Sequence, residues 1–249
     1  TLLVRPDSGI SRPEHLKGKR LALPAWGENR PGSIARAMSL HGYKGALSLA
    51  GLGFDDVQLV EVALQDQERA ASPQEGLQRL WSGLDYLVRG EVDAVYVKGA
   101  AAADAARRLG LVVGIDLDLV AEPRYRINNG TPRPITVHQS LLDNHFDLVV
   151  RFLAQTLRAA DWAAHNRPAL NAILEEETRA GSAGVNEAYR GDFHTTLAPD
   201  LSPQRLEFLD IQKNFLYRHG FLERDFAIAD WVDPRPLHAA HELLAQRRA

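Results

Sequence analysis

The residues best placed to do chemistry lie in the run Pro24-Ala25-Trp26-Gly27-Glu28-Asn29-Arg30-Pro31-Gly32-Ser33. Arg30 carries a planar fork of donors that matches an oxyanion. Gly27 and Gly32 let the backbone come close to a bound group, Ser33 adds a hydroxyl, and Trp26 offers a flat apolar wall. A second run, Tyr96-Val97-Lys98-Gly99, sets an ammonium beside a glycine amide. The chemistry common to both is recognition of a small anion. Each also has a plainer reading: a loop with a solvated Arg and a surface Trp, and a surface Lys next to a turn glycine. Arg124, Arg126, Asn128 and Asn129 make a third polar group, although Asn128-Asn129-Gly130 also has the composition of a tight turn.

Several other chemistries find no support. The spacing Gly27-x-x-x-x-Gly32-Ser33 resembles a phosphate loop but lacks the Lys that reaches the terminal phosphates. There is no G-x-G-x-x-G after a strand, no G-x-S-x-G and no H-E-x-x-H. The 249 residues hold no Cys, so they supply no thiolate nucleophile, disulfide or cysteine-ligated metal. His238-x-x-His241 reads as the solvated face of a final helix and Glu175-Glu176-Glu177 as exposed helix surface, whereas Trp162 reads as core. His138 is the histidine nearest a possible hinge. No catalytic residue, metal ligand or cofactor is nominated.

The elements that position the two runs alternate between strand and helix. Strands are expected at Leu2–Val4, Arg20–Pro24, Val57–Val62, Asp93–Val97 and Leu111–Ile115. Between them come a short helix with Ser11 as cap and Pro13 in its first turn, a helix from Ser33, an amphipathic helix carrying Leu77, Leu80, Trp81, Leu84 and Leu87, and a helix at Ala100–Leu109. Such alternation implies right-handed crossovers and a largely parallel sheet covered on both faces. In that case Trp26–Ser33 and Tyr96–Gly99 both lie where a parallel strand ends and a helix begins. Open α/β sheets bind ligands there, because the first amides of a helix are unpaired and its dipole end is positive.

Past Pro123 the pattern is helical, with one short strand expected at Ile135–His138, helices near 140–165, 168–180 and Pro203–Arg218, and a last one at Pro236–Gln246. Leu2–Ile10 and Pro123–Pro134 read as two crossing segments of a hinge. The expected organisation is an α/β lobe over residues 11–122 and a second, helix-rich body from 1–10 and 123–249. Thr1–Val4 reads as a strand already under way, so the late helices are expected to expose apolar surface.

The chain is 45% apolar and 24% charged with a net charge of −3, ordinary for a globular protein. That balance lacks the basic footprint of a nucleic-acid binder. No apolar run approaches the roughly 18 residues a membrane span needs.

Two stretches carry a family resemblance. Gly9-Ile10-Ser11 through Leu16-Lys17-Gly18-Lys19-Arg20-Leu21-Ala22-Leu23-Pro24 resembles the start of the second lobe in substrate-binding proteins of nitrate/sulfonate/taurine ABC importers, and Arg89-Gly90-Glu91-Val92-Asp93-Ala94-Val95-Tyr96 is similar to a strand of that group. The tail, Asp192-Phe193 to Leu197-Ala198-Pro199, Leu201-Ser202, Gln212-Lys213-Asn214-Phe215-Leu216, Gly220-Phe221-Leu222 and Asp230-Trp231, resembles the hydroxybiphenyl sulfinate desulfinases. The resemblance implies a two-lobed, type II periplasmic-binding-protein-like α/β fold with an N-terminally incomplete helix-rich lobe. It also implies a small organic anion, sulfonate-like or an aromatic acid, held between lobes by Trp26, Gly27, Arg30, Gly32, Ser33, Tyr96, Lys98, Gly99, Asn128 and Asn129. An ABC permease partner, a periplasmic location and a monomer follow from the same group. The alternative it implies is a cytoplasmic C–S hydrolase acting on an aryl sulfinate. The Cys, His and Arg that serve the desulfinases lie upstream of the matched region, so none of their roles passes to a residue here. A ligand-sensing module without transport is a third reading.

Overall fold

The computed structural model describes residues 1–27, 33–63, 83–126 and 134–246. Its strands are β1 (Leu2–Val4), β2 (Arg20–Pro24), β3 (Gln58–Val62), β4 (Val95–Tyr96) and β5 (Val112–Ile115). Among them run helices α1 (Ile34–Leu49), α2 (Leu84–Val88) and α3 (Ala100–Arg108). The C-terminal half holds α4 (Gln139–Asn144), α5 (Phe146–His165), α6 (Arg167–Thr178), α7 (Ser182–Ala188), α8 (Pro203–Arg218), α9 (Ile228–Trp231) and α10 (Arg235–Gln246).

β2 and β3 pair in parallel from Arg20 opposite Gln58 to Pro24 opposite Val62. A single parallel bridge, Leu21 to Ala94, joins this pair to β4, and β4, β1 and β5 form a three-stranded sheet. Parallel pairing is found for β2 with β3 and, at the one bridge, for β2 with β4, while β5 pairs only with β1. β1 corrects the expectation of a largely parallel sheet, running antiparallel to both neighbours. Leu2, Leu3 and Val4 are all buried, so β1 is covered on both faces, against the alternation of a one-faced strand.

The main core packs this sheet against α1 and α3. α1 carries Gly42 and Gly45, each costing roughly 1 kcal/mol of helix propensity relative to Ala. Both are explained by close approach: a Cβ at Gly42 would collide with the Tyr96 ring, and one at Gly45 with the Tyr125 carbonyl. The same turn of α1 bears Tyr43, whose buried hydroxyl donates to Ala22 O at 2.7 Å and accepts from Tyr96 N at 3.0 Å. One side chain thus ties α1 to β2 and β4, and burial pushes its pKa well up, keeping the donor un-ionised.

In the C-terminal half, Val149, Val150, Leu153, Ala154 and Leu157 of α5 recur at helical spacing and pack on Ala240, Leu237 and Leu244 of α10. Four expectations are corrected here. Trp162 lies on the opposite face of α5 and is 42% exposed, as are Leu148 and Phe152 to similar or greater extents. Ile135–His138 forms no strand, because no partner strand meets it among the described residues. The helix expected over 140–165 is two, separated at His145 (φ −140°). The element at Pro13–Leu16 is a single 3-10 turn preceded by Arg12, not a helix capped by Ser11. Most of the amphipathic run Leu77–Leu87 lies outside the described residues; its end is helical in α2.

Candidate functional site

β2 ends at Pro24, and Ala25 extends the ladder by donating to Val62 O at 2.9 Å. The Leu21–Ala94 register sets Pro24 level with Val97, so the carboxyl ends of β2 and β4 share one edge of the sheet. α1 starts after the first of these ends and α3 after the second. Two helix N-termini, whose first amides have no partner within the helix and whose dipole ends are positive, therefore face the same rim.

Ser33 precedes α1 but does not cap it with its side chain. Its hydroxyl, nearly buried at 3% exposure, accepts instead from Gly27 N at 2.9 Å. That bond ties Gly27, just past the β2 extension, to the start of α1. Trp26 is 37% exposed and held on two sides: its ring centre is 4.9 Å from that of Phe221 and 4.8 Å from the Arg36 guanidinium carbon. Arg36 in turn donates to Pro24 O at 2.8 Å and pairs with Glu61 of β3 at 2.9 Å. Across the rim Lys98 is half-buried and Gly99 exposed. Gly99 has φ 90° and ψ 164°, a conformation side chains strongly disfavour, and it turns the chain from β4 into α3.

Of the residues expected at the site, Trp26, Gly27, Ser33, Lys98 and Gly99 come to this rim. Tyr96 does not. It is 1% exposed, its ring packed at Gly42 and edge-on to Tyr43 at 6.3 Å, so its role is in the core. Strand β4 is covered on both faces, which buries Val95, Tyr96 and Val97 alike. Arg30, Gly32, Asn128 and Asn129 lie outside the described residues. Arg124 is exposed and points towards Glu122 and Glu207 at 3.7 and 3.8 Å. His138 caps α4, its Nδ1 accepting from Ser140 N at 3.2 Å. His238 pairs with Glu242 on an exposed face. Among the described residues, no three His, Asp or Glu side chains gather as a metal site would need.

Arg36 and Phe221 were not expected. Arg36 follows Ser33 by three residues and so shares its side of α1, a signal present in the sequence. Phe221 reaches Trp26 from far along the chain, with no local signal.

A cavity of about 420 Å³ lies elsewhere, among α4, α5, α8, α10 and the segments Pro134–Val137 and Thr196–Leu201. Its walls are mainly apolar, with Trp231 at one side and the Asp200–Arg205 ion pair (2.6 Å) at another. Among the described residues no helix is long and apolar enough to cross a membrane.

The fold these elements make is that of the type II periplasmic binding proteins. No family model and no curated protein matches the chain. Among solved structures, it is similar to a mutant of the desulfurization enzyme DszB in complex with biphenyl-2-sulfinic acid: TM-score 0.66, 21% identity, covering 97% of this chain and 75% of that one. It is similar also to the sulfonate-binding protein SsuA from Methylobacillus flagellatus KT (TM-score 0.66, 14% identity, 98% and 66% covered) and to the periplasmic aliphatic sulphonate binding protein SsuA from Escherichia coli (TM-score 0.57, 18% identity, 92% and 63% covered).

Proposed function

We propose that the chain acts in a solute-binding protein for a small organic anion, sulfonate-like or an aromatic acid, that delivers its ligand to an ABC permease in the periplasm as a monomer. The observation that supports this reading is the shared rim: two helix N-termini, with Trp26, Ser33, Lys98 and Gly99, at neighbouring parallel strand ends. Arg30 and Gly32, which precede Ser33 in the sequence, and Asn128 and Asn129, which follow Arg126, contribute to the cleft in this reading. In this reading the α/β lobe comprises residues 11–122 together with β1, the middle strand of its three-stranded sheet, which corrects the assignment of 1–10 to the other body, and the helix-rich body of 123–249 closes on it. Ligand favours closure only through contacts that exist in the shut state. Calorimetry with an aryl sulfonate tests the assignment. Replacing Arg30 and Ser33 together by Ala weakens binding at least tenfold; unchanged affinity removes this loop from the site.

A second reading is C–S bond hydrolysis of an aryl sulfinate in the cytoplasm, favoured by the likeness to DszB over 97% of this chain. Sulfite release from biphenyl-2-sulfinic acid separates it from the first.

A further inference from the structure

A cluster of titratable groups lies where α8 docks on α1. His41 of α1 is buried, and its ring stacks on Phe215 of α8 with centres 4.2 Å apart and planes 10° from parallel. Phe215 also meets His219 at 4.3 Å, and His219 meets the Phe54 ring edge-on at 5.7 Å. Leu23, Leu40 and Phe221 complete an apolar cluster around the stack. The Nδ1 atom of His41 is buried without a hydrogen-bond partner. Phe221, in the same cluster, is the ring that braces Trp26.

We propose that the His41–Phe215–His219 stack is an acid-released clasp: protonation of the two histidines undocks α8 from α1 and withdraws Phe221 from Trp26. The proposal goes beyond the anion-binding reading and holds whatever the rim binds.

The physical argument is desolvation. A neutral imidazole packs on phenylalanine as an apolar plate, whereas an imidazolium in the same place loses water that the cluster does not replace. Burial, and then the nearby His219, bring the His41 pKa down to about 4. Burial, and then Lys44 and Arg218, lower that of His219. The charged groups bearing on the two rings are thus cationic from α1 and from α8 alike. The turn carrying Phe54 adds Asp55, which is exposed, and Asp56, whose carboxylate accepts from Gly53 N at 2.9 Å. Arg36, on α1, is engaged by Glu61. Attraction of an imidazolium to the Phe215 face acts the other way, but it is worth less than the cost of burying an unpaired charge.

The sign follows from the direction of the shifts. A base whose folded value is depressed keeps its full contribution above its ordinary value of 6.5 and loses it as pH falls towards the folded value. For His41 that window runs from about 6.5 down to about 4, at roughly tenfold in the docking equilibrium per pH unit.

The test uses the full chain with Trp81, Trp162 and Trp231 replaced by Phe, so that Trp26 alone emits. Between neutral pH and pH 4 the Trp26 emission moves to the red, and α8 amides lose at least tenfold in exchange protection beyond the intrinsic pH effect, while α5 and the sheet keep theirs. His41→Gln with His219→Gln moves this transition down by at least one pH unit. Two results overturn the proposal: a transition unmoved in the double variant, or simultaneous loss of protection in α8 and the sheet. If the double variant does not fold, the Cε1 proton of His41 in the chain with His41 and His219 intact decides. An apparent pKa below 5 that tracks the Trp26 transition supports the clasp, and any other result overturns it.

Discussion

The guanidinium carbon of Arg36 stands 4.8 Å from the centre of the Trp26 ring, while its Nη1 holds the Pro24 carbonyl at 2.8 Å. One side chain from the first turn of α1 thus fixes both the end of β2 and the indole that follows it. A Trp at the end of a strand would otherwise swing freely; here its orientation is built into the helix–strand packing.

Arg36→Ala is expected to lower stability by about 1–2 kcal/mol, most of it from the charge-assisted bond to the Pro24 carbonyl. The Glu61 pair adds little because that carboxylate is 60% exposed. Urea unfolding measures the loss. In the chain with Trp26 as sole Trp, indole anisotropy falls before any unfolding; unchanged anisotropy would mean that Arg36 does not orient the ring.

Gly42→Ala opposes two effects of known size. Alanine gains roughly 1 kcal/mol of helix propensity, but its methyl would fall within the Tyr96 ring, and overpacking a fixed core costs about 1–3 kcal/mol. Tyr96 cannot retreat, since its own amide is tied to the Tyr43 hydroxyl. Net destabilisation is therefore expected, and a raised thermal midpoint would contradict it.

Acid sensitivity has a carboxylate component at the Arg20–Asp93 pair, where Arg20 Nη2 lies 2.8 Å from Asp93 Oδ1 and Arg20 N donates to Oδ2 at 2.8 Å. Burial acts to raise the Asp93 pKa, but the hydrogen bonds from Arg20 prevail and hold it below its ordinary 3.8. The folded value being depressed, the pair stabilises the fold above pH 3.8 and ceases to do so as pH falls below it. Asp93→Asn should lower the urea midpoint at pH 7 and leave stability at the acid end nearly unchanged, opposite in pH to the effect of removing His41.

Much of the rim was legible because its signals are local. Pro24, Gly27 and Ser33 mark a strand end and a helix start, and Val97-Lys98-Gly99 marks another, so parallel pairing alone brings them together. Tyr96 was misread for the same reason it is buried: in a strand covered on both faces, alternation no longer separates inside from outside. Ile135-Thr136-Val137 has strand composition, but a strand needs a partner, and composition carries no record of one. Trp162 was readable in principle, since Val149, Leu153, Leu157 and Ala160 define the buried face of α5 and position 162 falls off it. Phe221 illustrates the real boundary: its contact with Trp26 is set by how α8 packs, a tertiary fact with no local trace.

Gly99 provides the sharpest separation of fold from function at the rim. Its φ of 90° with ψ of 164° belongs to a region held almost wholly by glycine, so Gly99→Ala costs about 1–3 kcal/mol or forces the turn to relax. Relaxation would re-aim the first amides of α3, while leaving α1 and the Ser33–Gly27 bond untouched. If the amides at both helix starts bind the anion, Gly99→Ala loses affinity for an aryl sulfonate well beyond what its stability loss explains, and Lys98→Ala loses it with little change in stability. Calorimetry paired with thermal melts distinguishes these. Should Gly99→Ala melt lower yet bind as before, α3 serves only the core and the ligand belongs to the α1 side alone.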